Sequence, residues 1–220
     1  ELLDLGVVVF NPGVPEGEID RETLEELIDG GTFVHIRRTE ARFMAVHLRD
    51  TLQNSGHWGA VWVTPQESLS ADMNISAEIL ESDGSRLRLQ VLAQDSTGKI
   101  WIDGEYGMDT AASAYNRQRY PNRDPYQDVF YSIANDLALI RRGLSSEDAK
   151  NIRTVSQLRF AGQFSPEAFG DYVHESRRTG IYELQRLPAL GDPQFERTML
   201  VRDREHLFIE TLNEHYVDFY

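Results

Sequence analysis

The stretch "REHLFIETLNEHY", residues 204–216, sets His206, Glu210 and Glu214 one helical turn apart. On a helix one face would then present an imidazole and two carboxylates. Those are ligand types for zinc or for a dinuclear centre. The order is not His-Glu-x-x-His, however, and no other segment supplies the remaining ligands. An exposed helix face with side-chain pairs four residues apart is the plainer reading. His35, His47 and His57 are further candidates for proton transfer, but no serine stands in a Gly-x-Ser-x-Gly setting to make a nucleophile for them. Cysteine is absent, which removes disulfides, thiolate metal sites and cysteine nucleophiles. Gly84 and Gly98 belong to turns, and no glycine loop is built to cradle phosphate. Carboxylates are so numerous that no pair stands out for glycoside hydrolysis. No catalytic residue, metal or cofactor is assigned; an envelope hydrolase with its site on a 193–219 helix is the alternative reading.

Binding chemistry is better represented. In "YNRQRYPNRDPY" Tyr115, Tyr120 and Tyr126 interleave with Arg117, Arg119 and Arg123. Tyrosine and arginine dominate interface hot spots because each brings a large contact area with polar reach. The same segment, with two prolines and little apolar content, also reads as a connecting loop. Trp58, beside His57 at the mouth of "GHWGAVWVTP" (56–65), is the other candidate contact residue.

The elements that position these groups follow from periodicity. "LLDLGVVVF" ends in a β-branched run closed by Asn-Pro-Gly, a short buried strand. A helix over 18–31 has Asp20 as its N-cap and Gly30-Gly31 as its stop. Residues 32–38 read as a short strand. A helix over 39–54 follows, with Thr39 as candidate cap and a buried stripe of Phe43, Met44, Ala45, Val46, Leu48 and Leu52. The tryptophan strand is apolar on both faces, so it lies inside the sheet or beneath that helix. Over 71–109 two alternating runs and "IWIDGEYGM", joined by turns at Asp83-Gly84 and Ser96-Thr97-Gly98, predict a three-stranded antiparallel meander. Helices are predicted at 126–142, 145–161, 165–187 with a break at Gly180, and 193–219. Ser145 with Asp148 forms a capping box and Pro166 sits at a helix start. The fold class is α+β, a small mixed sheet domain over 1–143 followed by a helical annex over 144–220.

Charge divides along the same line. Residues 1–113 carry 20 Asp and Glu against 8 Lys and Arg, a net of −12 that repels a phosphate backbone, so nucleic acid is not an expected partner. No run of 18 apolar residues spans a membrane. The chain starts at Glu1 without methionine, as removal of a signal or lipid-anchor segment would leave it.

Leu48, Leu52, Ser55-Gly56 and Trp58, then Ala71-Asp72, Leu87, Leu89, Asp95, Thr97-Gly98 and Trp101, form a helix–strand–meander pattern. It resembles the small α/β domain of bacterial envelope proteins such as the TolB amino-terminal domain, CsgG, LpoB and PqiC. The likeness covers 2–10 and 39–135; the 18–31 helix departs from it and the region after 143 lies outside it. The resemblance implies a non-enzymatic periplasmic lipoprotein, associated with the outer membrane, that binds an envelope protein or copies of itself.

Overall fold

Leu5, Val7, Met73, Ile75, Leu87, Leu89 and Val91, all fully buried, mark one face of a five-stranded sheet. The structure is a computed structural model. It describes residues 2–15, 17, 19–109 and 124–217, with side chains as far as residue 212. β1 (Leu5–Val8) lies between β2 (Val61–Thr64) and β3 (Met73–Ser82) and is parallel to both. β4 (Arg86–Asp95) and β5 (Ile100–Asp109) add antiparallel strands, giving the order β2-β1-β3-β4-β5. The meander therefore stands as its alternation predicts. Its first turn is held by Asp83, whose Oδ1 accepts the amides of Ser85 and Arg86, both at 2.8 Å. The Ser85 hydroxyl, donating to the same oxygen, and then these amides favour the charged carboxylate and hold its pKa well below the usual range.

The apolar face of the sheet is covered by α2 (Val34–Asn54) and α3 (Gln127–Arg142). On α3 Val129, Phe130, Ile133 and Leu137 point inward as the spacing requires. Residues 34–38, expected as strand, are the first turns of α2 instead. The cause is Arg37: it is buried, and its guanidinium reaches the carbonyls of Ile79 and Ser82 beside the β3 bulge. Thr39 is then no cap, and its hydroxyl donates back to the His35 carbonyl. The longer helix buries Ala41, Met44, Ala45, Leu48 and Leu52 and turns Phe43 outward. α1 (Arg21–Asp29), between β1 and α2, starts on Asp20 as expected, but none of its residues is buried.

The remainder forms the annex. α4 (Ser146–Phe164) begins in the predicted capping box of Ser145 and Asp148. α5 (Pro166–Phe169) is one turn with proline at its start. Beyond it the expected 165–187 helix gives way to a hairpin of β6 (Val173–Glu175) and β7 (Tyr182–Leu184). Gly180, at φ +68, belongs to the turn of that hairpin and does not interrupt a helix. α6 (Pro193–Val217) closes the chain. It packs on the face of β2 that α2 does not cover, so the tryptophan strand lies beneath α6 as well as beneath α2, and Trp62 faces α6. The indole lies under α6, 4.3 Å from the ring of His206, on an edge strand covered on both sides. Among the described residues no helix is long and apolar enough to cross a membrane.

Candidate functional site

The parallel strands β1, β2 and β3 all begin at one end of the sheet, where β4 ends and β5 begins. That end gathers the polar chemistry of the molecule. Asp4 precedes β1 and Asp72 precedes β3, and the two segments lace together through the Asp4 amide on Asp72 Oδ2 and the Asp72 amide on the Asp4 carbonyl, both 2.9 Å. Asp4 Oδ1 also accepts the Ala60 amide at 3.0 Å. A side chain on Gly59 would run into that oxygen.

Two arginines from the annex answer these carboxylates. Arg153 of α4 donates to Asp72 Oδ2 at 2.7 Å, to Asp4 Oδ2 at 2.8 Å and to the Leu2 carbonyl at 2.8 Å. Arg202 of α6 donates to the Ser70 carbonyl at 2.7 Å and to Ser156 Oγ at 3.1 Å, with Asp72 Oδ1 at 3.4 Å. The Ser156 hydroxyl in turn donates to the Ala71 carbonyl at 3.0 Å, and the Ser70 hydroxyl donates to Glu205 at 2.7 Å. Asp72 is wholly buried and Arg202 nearly so. Burial lowers the Arg202 pKa, and the Asp72 carboxylate opposes that fall by stabilising the cation. Each charge has an opposite partner and hydrogen bonds, the condition under which an interior tolerates ions, although the buried Arg202 Nε has no acceptor among the described residues.

A second polar device sits a few residues away. Asp95, buried at the end of β4, accepts the Thr97 amide at 2.9 Å on Oδ1 and the Trp101 indole N–H at 2.7 Å on Oδ2. The turn it holds is gripped from outside. Ser96 Oγ donates to the Ile152 carbonyl, Arg159 donates to the Ser96 carbonyl at 2.7 Å, and the Tyr182 amide donates to the Thr97 carbonyl at 2.8 Å. The Arg159 guanidinium also lies 3.8 Å over the Tyr182 ring. Ile152, Arg153, Ser156 and Arg159 thus bring one side of α4 across the open end of the sheet. This is a joint between annex and sheet.

The residues singled out from sequence fall differently. Trp58 does not present a contact surface: it is 3% exposed and lies in the core, its ring 6.2 Å from Trp101. Tyr126 is half-buried against the core at the start of α3. Tyr115, Arg117, Arg119, Tyr120 and Arg123 lie outside the described residues. His206 turns inward, with Nε2 2.9 Å from the Ser70 carbonyl, while Glu210 is exposed and the Glu214 side chain is not described. Among the described residues no three His, Cys, Asp or Glu side chains are disposed to hold a metal. His47 bonds Gln127 at 2.7 Å, and His35 is exposed elsewhere on α2.

His206 carries a measurable consequence. Burial and then the Arg202 charge lower its pKa below the 6.5 of a free imidazole. The unfolded chain therefore takes the proton first. The stability tied to neutral His206 is full above the unfolded value and is lost as pH falls through the folded one. Urea midpoints at about pH 7.5 and about pH 5.5 should differ more for the natural chain than for His206→Gln. Equal differences would place the ring in water.

Two surfaces are apolar and, among the described residues, uncovered. One is a groove of about 460 Å³ between α1 and the start of α2, lined by Leu24, Ile28, Phe33 and Ile36 among others. The second is the outer side of α6, where Leu200, Leu207 and Phe208 are exposed by 58%, 63% and 63%. Sequence reasoning missed both. No family model matches the chain, and no curated protein matches it.

Proposed function

We propose that this chain is a non-enzymatic binding and assembly module of the bacterial cell envelope, held in the periplasm by a lipid anchor at the outer membrane. The observation that carries the binding role is the pair of apolar surfaces exposed among the described residues, one on α1 and α2 and one on α6. Exposed apolar side chains clustered on one element mark contact sites. The polar joint supports the same reading, because its carboxylates and guanidiniums are spent on one another and leave the annex rigidly set against the sheet. The envelope setting is supported by the resemblance carried by Ser55-Gly56, Asp72, Asp95, Thr97-Gly98 and Trp101. The test is expression of the gene product with its native leader in bacterial cells fed labelled palmitate, with a photo-crosslinker in place of Leu207. Label in an outer-membrane fraction and a crosslinked adduct are expected. An unlabelled chain recovered from the cytosol, without adduct, would overturn the reading.

A further inference from the structure

Resting on that reading, we propose that the partner of the α6 surface is the same surface on a second copy of the chain, the two helices running parallel about a two-fold axis. The outward side of α6 carries three rows, each repeating every seventh residue. Leu200 and Leu207 form the middle row; Glu196, Asp203 and Glu210 run along one flank, and Arg197, Arg204 and Thr211 along the other. At about 100° per residue the acidic row lies about 20–60° to one side of Leu207 and the arginine row about 40–80° to the other. All eight side chains are exposed, while Thr198 and Arg202 on the opposite side of the helix are buried. Among the described residues none of the five charged ones makes an ion pair. The body of each copy therefore lies behind its helix, and the leucines point straight away from it.

The order of the rows decides the orientation. Two such helices meeting antiparallel through their leucines would keep each flank on its own side, acid over acid and arginine over arginine. Run parallel, the pair has its two-fold axis along the seam, and that axis exchanges the flanks. Residues at the same level then meet: Leu200 packs on Leu200 and Leu207 on Leu207 of the second copy. Asp203 faces Arg204 of the second copy and Glu196 faces its Arg197, each pair occurring twice by symmetry. Glu210 meets Thr211, so no like charges touch. Charges flanking an apolar seam set the partner and the direction of paired helices in this way. Leucine burial supplies the attraction, and the rim pairs, exposed to water, supply the orientation. One patch serves both copies, so the contact closes at a dimer. With two leucine layers along a helix about 30 Å long the contact is small, and its dissociation constant is on the order of 10 micromolar.

The experiment is sedimentation velocity of the purified chain from about 1 to about 500 micromolar, where monomer and dimer alone are expected. Asp203→Arg and Arg204→Glu, both at exposed sites, should each raise the dissociation constant about tenfold or more, because each sets like charges face to face twice. An equal mixture of the two should dimerise as the natural chain does, since every contact at that level then joins arginine to acid. That rescue also shows that both variants are folded. Direction is read by disulfide trapping. The chain has no cysteine, so Leu200→Cys carries a single thiol, and in a parallel pair it lies opposite its own copy. It should link at least about tenfold faster than Leu139→Cys, an exposed site on α3. A natural chain that stays monomeric or grows past a dimer would overturn the proposal, as would a mixture without rescue. So would a Leu200→Cys chain that links only when mixed with Leu207→Cys, the antiparallel result. Failure here leaves the envelope reading standing, since that reading fails only by location and by loss of the crosslinked adduct in cells.

Discussion

Replacing Asp72 with alanine should lower the unfolding free energy by about 3–5 kcal/mol, the range found when one partner of a buried ion pair is removed. The carboxylate is fully buried and accepts from Arg153, from Arg202 and from the Asp4 amide. Its loss strands the Arg202 guanidinium, which is only 6% exposed in its side chain, beside the Arg153 cation, with the more distant Asp4 and Asp203 in place of its ion-pair partner. Urea unfolding gives the magnitude. Amide exchange gives the location: α6 should lose protection while β3 and β4 keep theirs. Pairing the change with Arg202→Met should recover part of the loss, because an apolar side chain asks nothing of the vacated site. A loss under about 1 kcal/mol would mean that water reaches the joint and screens it.

Gly98→Ala is the second large effect. Gly98 has φ +85, so any Cβ there costs about 1–2 kcal/mol in backbone strain alone. The added methyl would also meet the carbonyl oxygen of Gly180, which forces the hairpin off the turn. A total near 3 kcal/mol is expected, together with fast exchange of the Tyr182 amide that now donates to Thr97. Gly84→Ala is the matched control, since its φ is +83 but a Cβ there meets nothing within 4 Å. It should lose only the strain. Equal losses at the two positions would remove the Gly180 contact from the explanation.

What could be read from sequence was what is local. The meander was legible because Met73, Ile75, Ala77 and Ile79 alternate with polar residues and end at Asp-Gly. The capping box and the Asp20 cap were legible because each is satisfied within four residues. Val34-His-Ile-Arg-Arg misled because β-branched residues favour strand, and the helix there is fixed by Arg37 reaching carbonyls 42 and 45 residues away. The 165–187 region misled because Gly180 was weighed as a break in a helix when it supplied a turn. The polar joint gave no local sign at all. Arg153 and Arg202 sit in helices whose charged residues look like any solvated face, and only the tertiary fold shows which arginines turn inward.

That joint also bears on the order in which the chain is made. Arg153 bonds the Leu2 carbonyl across 151 residues, and Arg202 reaches Asp72 across 130. Synthesis runs from the amino end, so Asp72 leaves the ribosome long before either cation exists. The sheet strands are complete by residue 109, yet the charge at their end stays uncompensated until α4 brings Arg153, and Arg202 joins it only when α6 has been made. Contacts so distant in sequence close late and slowly. A nascent chain paused between α3 and α4 would hold a finished meander beside an open, negatively charged end, and only the last stretch of translation adds the second cation that completes the lock.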